Sequence, residues 1–324
     1  MKTKIKYSFI GIFLRSLVNG FYTAKGHAND RGLGFIYFAN FFLIRGLYGL
    51  TFLRNKIKEN KFFFKSEIKN NYSKDEETIS KVIQELCLKG YSGEYKFKDN
   101  IIEKIKDQFI KNIDQSTITY NDGSVVNLDR NQIDIRSSNY EKLLFEKKIY
   151  IIKSSVEIKN NSFLKECVHS EYFINLAQGY LNSKRLSVNC TIFFSNNSDQ
   201  KLNNSNLFTK AAQKYHFDID YKKFFKILIY FTDVNEVGNG AHIYIPTTHK
   251  KKNKEHQITN RFEDYDIETS YPNKKIFIGD KGTFFFVDTF GFHKGSPVKS
   301  KPRVAAFIEY GRGHFQLTKN TIFI

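Results

Sequence analysis

Tyr215-His216-Phe217-Asp218 places an imidazole and a carboxylate two positions apart. Residues two apart on an extended strand project from the same face, so both groups can reach one ion from one edge. A facial site needs a third ligand, and His293 supplies it at the end of the apolar run that reaches Val287. Two imidazoles and one carboxylate, with adjacent coordination positions open, suit iron(II) and its oxygen chemistry. Arg303 then opens the apolar run 304–310. A guanidinium at the start of a buried strand needs an anion, and its planar fork matches a carboxylate through two parallel hydrogen bonds.

Short β-branched or aromatic runs at 186–194, 224–231, 241–245, 276–278, 283–287 and 304–310 have the period of strands. Turn signals at Asn239-Gly240 and between Gly279 and Gly282 separate them, and this cadence predicts a sandwich or jelly roll. Before it the period is helical. An N-cap at Ser73 starts a helix that runs to Gly90; a second reaches about Ile113; a third spans 163–181. A short strand is expected over 90–97. Residues 116–136, with Asn121-Asp122-Gly123, read as a turn-rich connection.

These residues resemble the phytanoyl-CoA dioxygenase group of iron(II)- and 2-oxoglutarate-dependent oxygenases. The resemblance covers about 163–310. It rests on His216-x-Asp218, on the strand from Lys226 to Val234, on Asn239-Gly240-Ala241-His242, on Ile245-Pro246-Thr247-Thr248-His249-Lys250, and on Asp288-Thr289, His293-Lys294-Gly295 and Arg303. It implies a mainly β fold with α elements, a double-stranded β-helix (jelly roll, cupin-like) core flanked by N-terminal helices. It also implies that His216, Asp218 and His293 ligate Fe(II) and act as the catalytic centre, and that Arg303 holds the distal carboxylate of 2-oxoglutarate. Oxygen-dependent conversion of that co-substrate to succinate and CO2 would accompany hydroxylation of an unactivated C–H bond. Ascorbate is a candidate auxiliary reductant. Relatives that halogenate replace the carboxylate ligand with a small residue, so Asp218 argues for a hydroxylase. Pro246-Thr247-Thr248-His249 stands where relatives usually have Pro-Gly-Ser-His, which alters a turn and leaves the metal ligands in place.

Weaker co-substrate contacts are expected from Asn189 and Thr191, which share a strand face with Ser187, and from Tyr230; each is read equally well as ordinary core or surface polarity. His242 and His249 accompany the motif and read as structural, and His169, His256 and His314 as surface or core residues.

The 324 residues suffice for one large domain with additions, and 33 Phe and 19 Tyr describe a globular chain. The division expected is a basic, apolar segment over 1–60 and an oxygenase domain over 61–324, with the jelly-roll core at about 145–315. A net charge of +18 raises nucleic acid as a partner, yet Lys is spread along the whole chain without a nucleic-acid-binding signature, so none is expected. Within 1–60, ten Lys and Arg face only Asp30 and Glu59. Arg31, Arg45 and Arg54 punctuate the apolar stretch there, which disfavours a spanning helix; a helix packed on the core, or peripheral contact with anionic lipid, fits better. Cys87, Cys167 and Cys190 form no Cys-x-x-Cys pair, and a cytoplasmic location, including the inner face of the membrane, is expected.

Two other readings use the same residues. A jelly-roll metal hydrolase or isomerase would share the ligands but has no evident need for Arg303. A non-catalytic binding module would be expected to have lost ligands. The substrate is expected to be a small molecule, lipid-like or anionic in keeping with the basic surface, contacted by loops at 196–214 and 250–272 and by the N-terminal third. The sequence does not specify the oligomeric state.

Overall fold

The computed structural model describes residues 75–129, 132, 140–197, 205–218, 220–256, 261–314 and 320–324. The expectations for residues 1–60 lie outside them, as does the Ser73 cap.

Alternating apolar residues build an antiparallel sheet in the order β1 (Tyr91–Lys96), β9 (Thr283–Val287), β6 (Tyr221–Tyr230), β11 (Arg303–His314), β5 (Ser187–Ser195), β4 (Ile149–Val156), β2 (Ile113–Tyr120), β3 (Val125–Asp129). The short β12 (Ile322–Phe323) pairs with β5 where β4 ends. A second, three-stranded sheet has the order β10 (His293–Gly295), β7 (His242–Tyr244), β8 (Lys275–Phe277). An isolated bridge between His216 and His293 adds a fourth chain segment beside β10. Thus 187–195, 221–230, 283–287 and 303–314 form one wall, and 215–216, 242–244, 275–277 and 293–295 form the other. The chain passes between the walls in the manner of a double-stranded β-helix, and the fold is that jelly roll.

The helices α1 (Asp75–Lys89), α2 (Asp99–Lys111), α4 (Ser162–Val168) and α5 (Glu171–Leu181) cover one face of the larger sheet. Val82, Leu86, Ile105, Phe109, Leu164 and Leu176 from these helices meet Ile192, Phe194, Ile227, Ile229, Ala306 and Ile308 from the strands in one buried cluster. A second cluster, with Leu228, Tyr230, Tyr244, Phe277, Phe285 and Ala305, fills the space between the two sheets. The remaining short helices are α3 (Tyr140–Glu146), α6 (Ser205–Lys210) and α7 (Asp264–Ser270).

Three expectations need correction. The connection expected over 116–136 is, as far as Asp129, the β2–β3 hairpin: Thr117 and Thr119 are β-branched and pair with Asn127 and Val125, and Gly123 takes φ +83° in the turn. The helix expected over 163–181 is two helices. His169 caps the first and Ser170 caps the second by accepting from the Phe173 amide, although the apolar periodicity runs through the break. The second helix ends at Lys111, and Ile113 already belongs to β2.

Candidate metal centre

His216 and His293 face each other because their backbones pair. The His216 amide donates to the His293 carbonyl at 3.0 Å, and the His293 amide returns the bond at 2.8 Å. Directly opposed residues present their side chains on one face, and the two rings lie 4.2 Å apart between centroids. Each Nδ1 sits against a carbonyl two residues back in its own chain: Lys214 at 2.9 Å and Gly291 at 3.0 Å. A carbonyl only accepts, so each Nδ1 carries the proton and each Nε2 presents its lone pair, as outer-sphere bonds to ligating histidines do. Burial, followed by the neighbouring His293, holds His216 well below the usual imidazole range. His293 is lowered as well, again chiefly by burial. Both rings are therefore neutral, the form a metal requires.

Asp218 completes the group. Its amide donates to Thr289 at 2.8 Å, which ties the strand end to the loop that delivers His293. Its Oδ1 lies 3.9 Å from His216 Nε2 and its Oδ2 3.5 Å from His293 Nε2. The three ligand atoms lie within 4.8 Å of one another, and no other such cluster occurs among the described residues. These separations are too long for strong hydrogen bonds and suit one ion held at about 2.0–2.2 Å from each donor.

The loop 288–292 is held rigidly. Asp288 is buried and accepts from the Tyr180 hydroxyl at 2.6 Å and from the Phe290 amide at 3.0 Å. Buried Lys252 donates to the carbonyls of Thr248 and Phe290, both at 2.7 Å, while its ammonium lies over the rings of Phe217 and Phe290. Gly291 is required where it stands, since a Cβ there would fall 2.0 Å from the Tyr244 hydroxyl oxygen. That close approach brings the Gly291 carbonyl to His293.

Lys226 is the feature that sequence reasoning missed. Its ammonium lies 2.9 Å from Asp218, 2.9 Å from Asp220 and 3.2 Å from Glu309. Burial alone would raise the Asp218 carboxyl, but the Lys226 ammonium against it outweighs that effect and holds Asp218 well below the carboxylate range. Burial works against the Lys226 charge, and the three carboxylates reverse that effect. Glu309 is pushed well up, first by burial. Alternation along β6 puts Lys226 on the face of Leu228 and Tyr230, and an inward charge of this kind signals an ion partner.

Arg303 stands at the start of β11. Its guanidinium donates to the Gly240 carbonyl and, at 3.0 Å, to Ser195 Oγ. Its Nε is buried without a hydrogen-bond partner, and among the described residues no carboxylate forms an ion pair with it. Gly240, at φ +83°, has no room for a Cβ beside Val298 and Arg303. His242 comes close to the triad as well: its ring stacks on His293 at 5.2 Å, and its Nε2 is buried and unpartnered. The β7–β10 pairing creates this contact, and the reading of His242 as structural did not anticipate it. Arg261 is a further half-buried cation near Asp218, and its Nη1 has no hydrogen-bond partner among the described residues.

The remaining polar residues singled out in the sequence have these surroundings. The Tyr230 hydroxyl donates to the Phe277 carbonyl at 2.8 Å and accepts from the His242 amide at 3.1 Å, so it braces the two sheets; burial pushes it up to about 12. Asn189 bonds the Tyr221 hydroxyl and accepts from Thr321, and with Thr191 it lines a cavity on the larger sheet. His249 is buried, with Nε2 at 3.2 Å from the Cys87 carbonyl, and ties α1 to the turn after β7. His256 packs against Phe262 and Phe292, and His169 is exposed.

No family model and no curated sequence matches the chain. Among solved structures it is similar to the non-heme alpha-ketoglutarate-dependent epimerase SnoN from nogalamycin biosynthesis, at 10% identity and TM-score 0.48, over 72% of this chain and 83% of that one. HygX from Streptomyces hygroscopicus, with nickel, 2-oxoglutarate and hygromycin B bound, is similar at 8% identity and TM-score 0.46, over 71% and 86%. EctD from S. alaskensis with bound Fe is similar at 12% identity and TM-score 0.47, over 74% and 81%. At these identities and scores the likeness assigns neither ligand nor reaction to this chain. No helix among the described residues is long and apolar enough to cross a membrane.

Proposed function

We propose that the chain is an iron(II)- and 2-oxoglutarate-dependent oxygenase that hydroxylates a C–H bond of a small molecule and releases succinate and CO2. The observation that carries this reading is the pairing of two devices on one jelly roll. His216, Asp218 and His293 converge with both imidazole Nε2 atoms bare. Across His242 lies a half-buried Arg303 whose Nε is buried without a hydrogen-bond partner and which has no acid partner among the described residues. A buried guanidinium N–H left unpaired is costly, and the guanidinium fork fits a carboxylate. The orphaned Nε of Arg303 therefore fits the distal carboxylate of a 2-oxo diacid, and the facial triad leaves the metal positions for the 2-oxo acid end.

In this reading His216, Asp218 and His293 hold Fe(II), and Arg303 with Ser195 orients the co-substrate. When bound, the iron would activate dioxygen, the oxidant, with 2-oxoglutarate giving up two electrons as it is decarboxylated to succinate and the C–H bond giving up the other two. The chain's own residues fix the ligands and keep both imidazoles neutral. Assignment to the phytanoyl-CoA dioxygenase group within these oxygenases, and hydroxylation rather than another outcome, are parts of the same proposal. Asn189, Thr191 and Tyr230 are further candidates for co-substrate contact: Asn189 and Thr191 line the cavity, and Tyr230 lies close enough to Arg303 to act on its charge. The hydrolase or isomerase reading leaves Arg303 unexplained.

The test is succinate formation from 2-oxoglutarate by the purified chain. The reading expects formation that needs both oxygen and Fe(II) and stops when zinc replaces iron. Succinate formation indifferent to the metal, or none with iron and a broad substrate panel, would refute it.

A further inference from the structure

The larger sheet presents two different faces, and the one turned away from the helices carries a cavity of about 540 Å³. Strands β3, β2, β4, β5, β11 and β6 all contribute to it. Its size lies within the roughly 300–1,000 Å³ of small-molecule sites. At one end are Asp220 and Lys226, and Lys226 touches Asp218 directly. None of the metal ligands lines the cavity, so an occupant at this end would reach the metal centre past Lys226.

The lining decides what that occupant can be. Of the lining residues only Leu128, Cys190, Phe193 and Phe307 are apolar; the others are amides, hydroxyls and a few charges. An acyl chain gains affinity from apolar area removed from water but would leave the amides and hydroxyls of this lining covered and unpaired, which disfavours it here. The cavity floor is built of short side chains held in order. Thr117 donates to Asn127 at 2.8 Å, Asn320 donates to Ser155 at 3.1 Å, and Thr321 donates to Asn189 at 2.7 Å. Near the metal end, Phe193 and Phe307 meet edge to face at 5.7 Å. Amides and hydroxyls offering both donors and acceptors, beside an aromatic patch, match a ring with hydroxyls at its edge and C–H groups on its face.

We infer that this cavity is the primary-substrate site and that it takes a hydroxyl-rich ring molecule of the sugar or glycoside class, with the C–H to be oxidised directed to the Lys226 end. The inference rests on the oxygenase reading of the metal centre and chooses, among the small, lipid-like or anionic substrates expected from sequence, a small polar one. Most of the lining belongs to strands, so specificity resides largely in the sheet.

Ligand-observed saturation-transfer NMR on the full chain, loaded with Zn(II) and 2-oxoglutarate, tests it. The probes are sucrose, methyl β-D-glucopyranoside and myo-inositol, against decanoate. At least one hydroxyl-rich probe should show transfer. Thr117→Trp, which fills the cavity far from the metal, should weaken it at least about tenfold, and Ser155→Leu should act in the same direction. Both variants should keep the visible band formed by Fe(II) and 2-oxoglutarate without oxygen, which also certifies their fold. Silence from every hydroxyl-rich probe, preference for decanoate, or unchanged binding in both variants would overturn the inference. Absence of the band in the unsubstituted chain would instead overturn the oxygenase reading itself.

Discussion

On strands β5, β6 and β11, neighbouring residues serve opposite purposes. Ile192 and Phe194 on β5, Ile227 and Ile229 on β6, and Ala306 and Ile308 on β11 pack into the core beneath the helices. Between them Asn189, Thr191, Lys226 and Glu309 line the cavity, and Arg303 opens its strand on the same side. The period of two lets one sheet hold a dry interface and a chemical surface without either compromising the other. Stability should therefore reside in one parity and ligand binding in the other.

That division can be broken most severely at the metal. His293→Ala should abolish turnover and weaken metal binding beyond the roughly 10–100-fold typical of losing an outer-sphere partner, as read by competition with a metal indicator; retained affinity would remove His293 from the ligand set. On the opposite face, Ile192→Ala should cost about 2–5 kcal/mol of stability in denaturant melts, with one metal still bound per folded chain; loss of metal binding by the folded protein would show that the faces are not independent. Returning to the ligand face, Arg303→Met should raise the 2-oxoglutarate concentration needed for half-saturation about 30-fold, the loss of roughly 2 kcal/mol of charged hydrogen bonding, while metal affinity stays the same. The smallest effect is expected at Ser195→Ala, which removes one acceptor from Arg303. It should raise the same concentration about threefold, and a shift as large as that of Arg303→Met would mean that Ser195, not the guanidinium, carries the recognition.

Most of the site was legible because its logic is local. His216 and Asp218 are two apart on extended chain, His293 ends a strand, and an arginine opening an apolar strand asks for an anion. What could not be read depends on pairing across distant sequence. Lys226 meets Asp218 close by but Glu309 only through the β6–β11 register, and His242 reaches His293 because β7 lies beside β10. The β2–β3 hairpin hid behind its own solvated face: Asn127 and Asp129 resemble loop residues until β4 supplies the pairing partner of β2. The break at Ser170 hid for the opposite reason, since Leu164, Val168, Phe173 and Leu176 keep their spacing while the backbone restarts. The jelly roll itself was foreshadowed by the cadence of short strands, although three-residue strands such as β10 are too brief to carry a period.

The most direct test of the central claim is the visible spectrum of the purified chain without oxygen, recorded as Fe(II) and then 2-oxoglutarate are added. A charge-transfer band that requires both additions, is lost in Asp218→Ala and needs far more 2-oxoglutarate in Arg303→Met is the predicted result. No band, with equal affinity for zinc and no response to 2-oxoglutarate, would contradict the account.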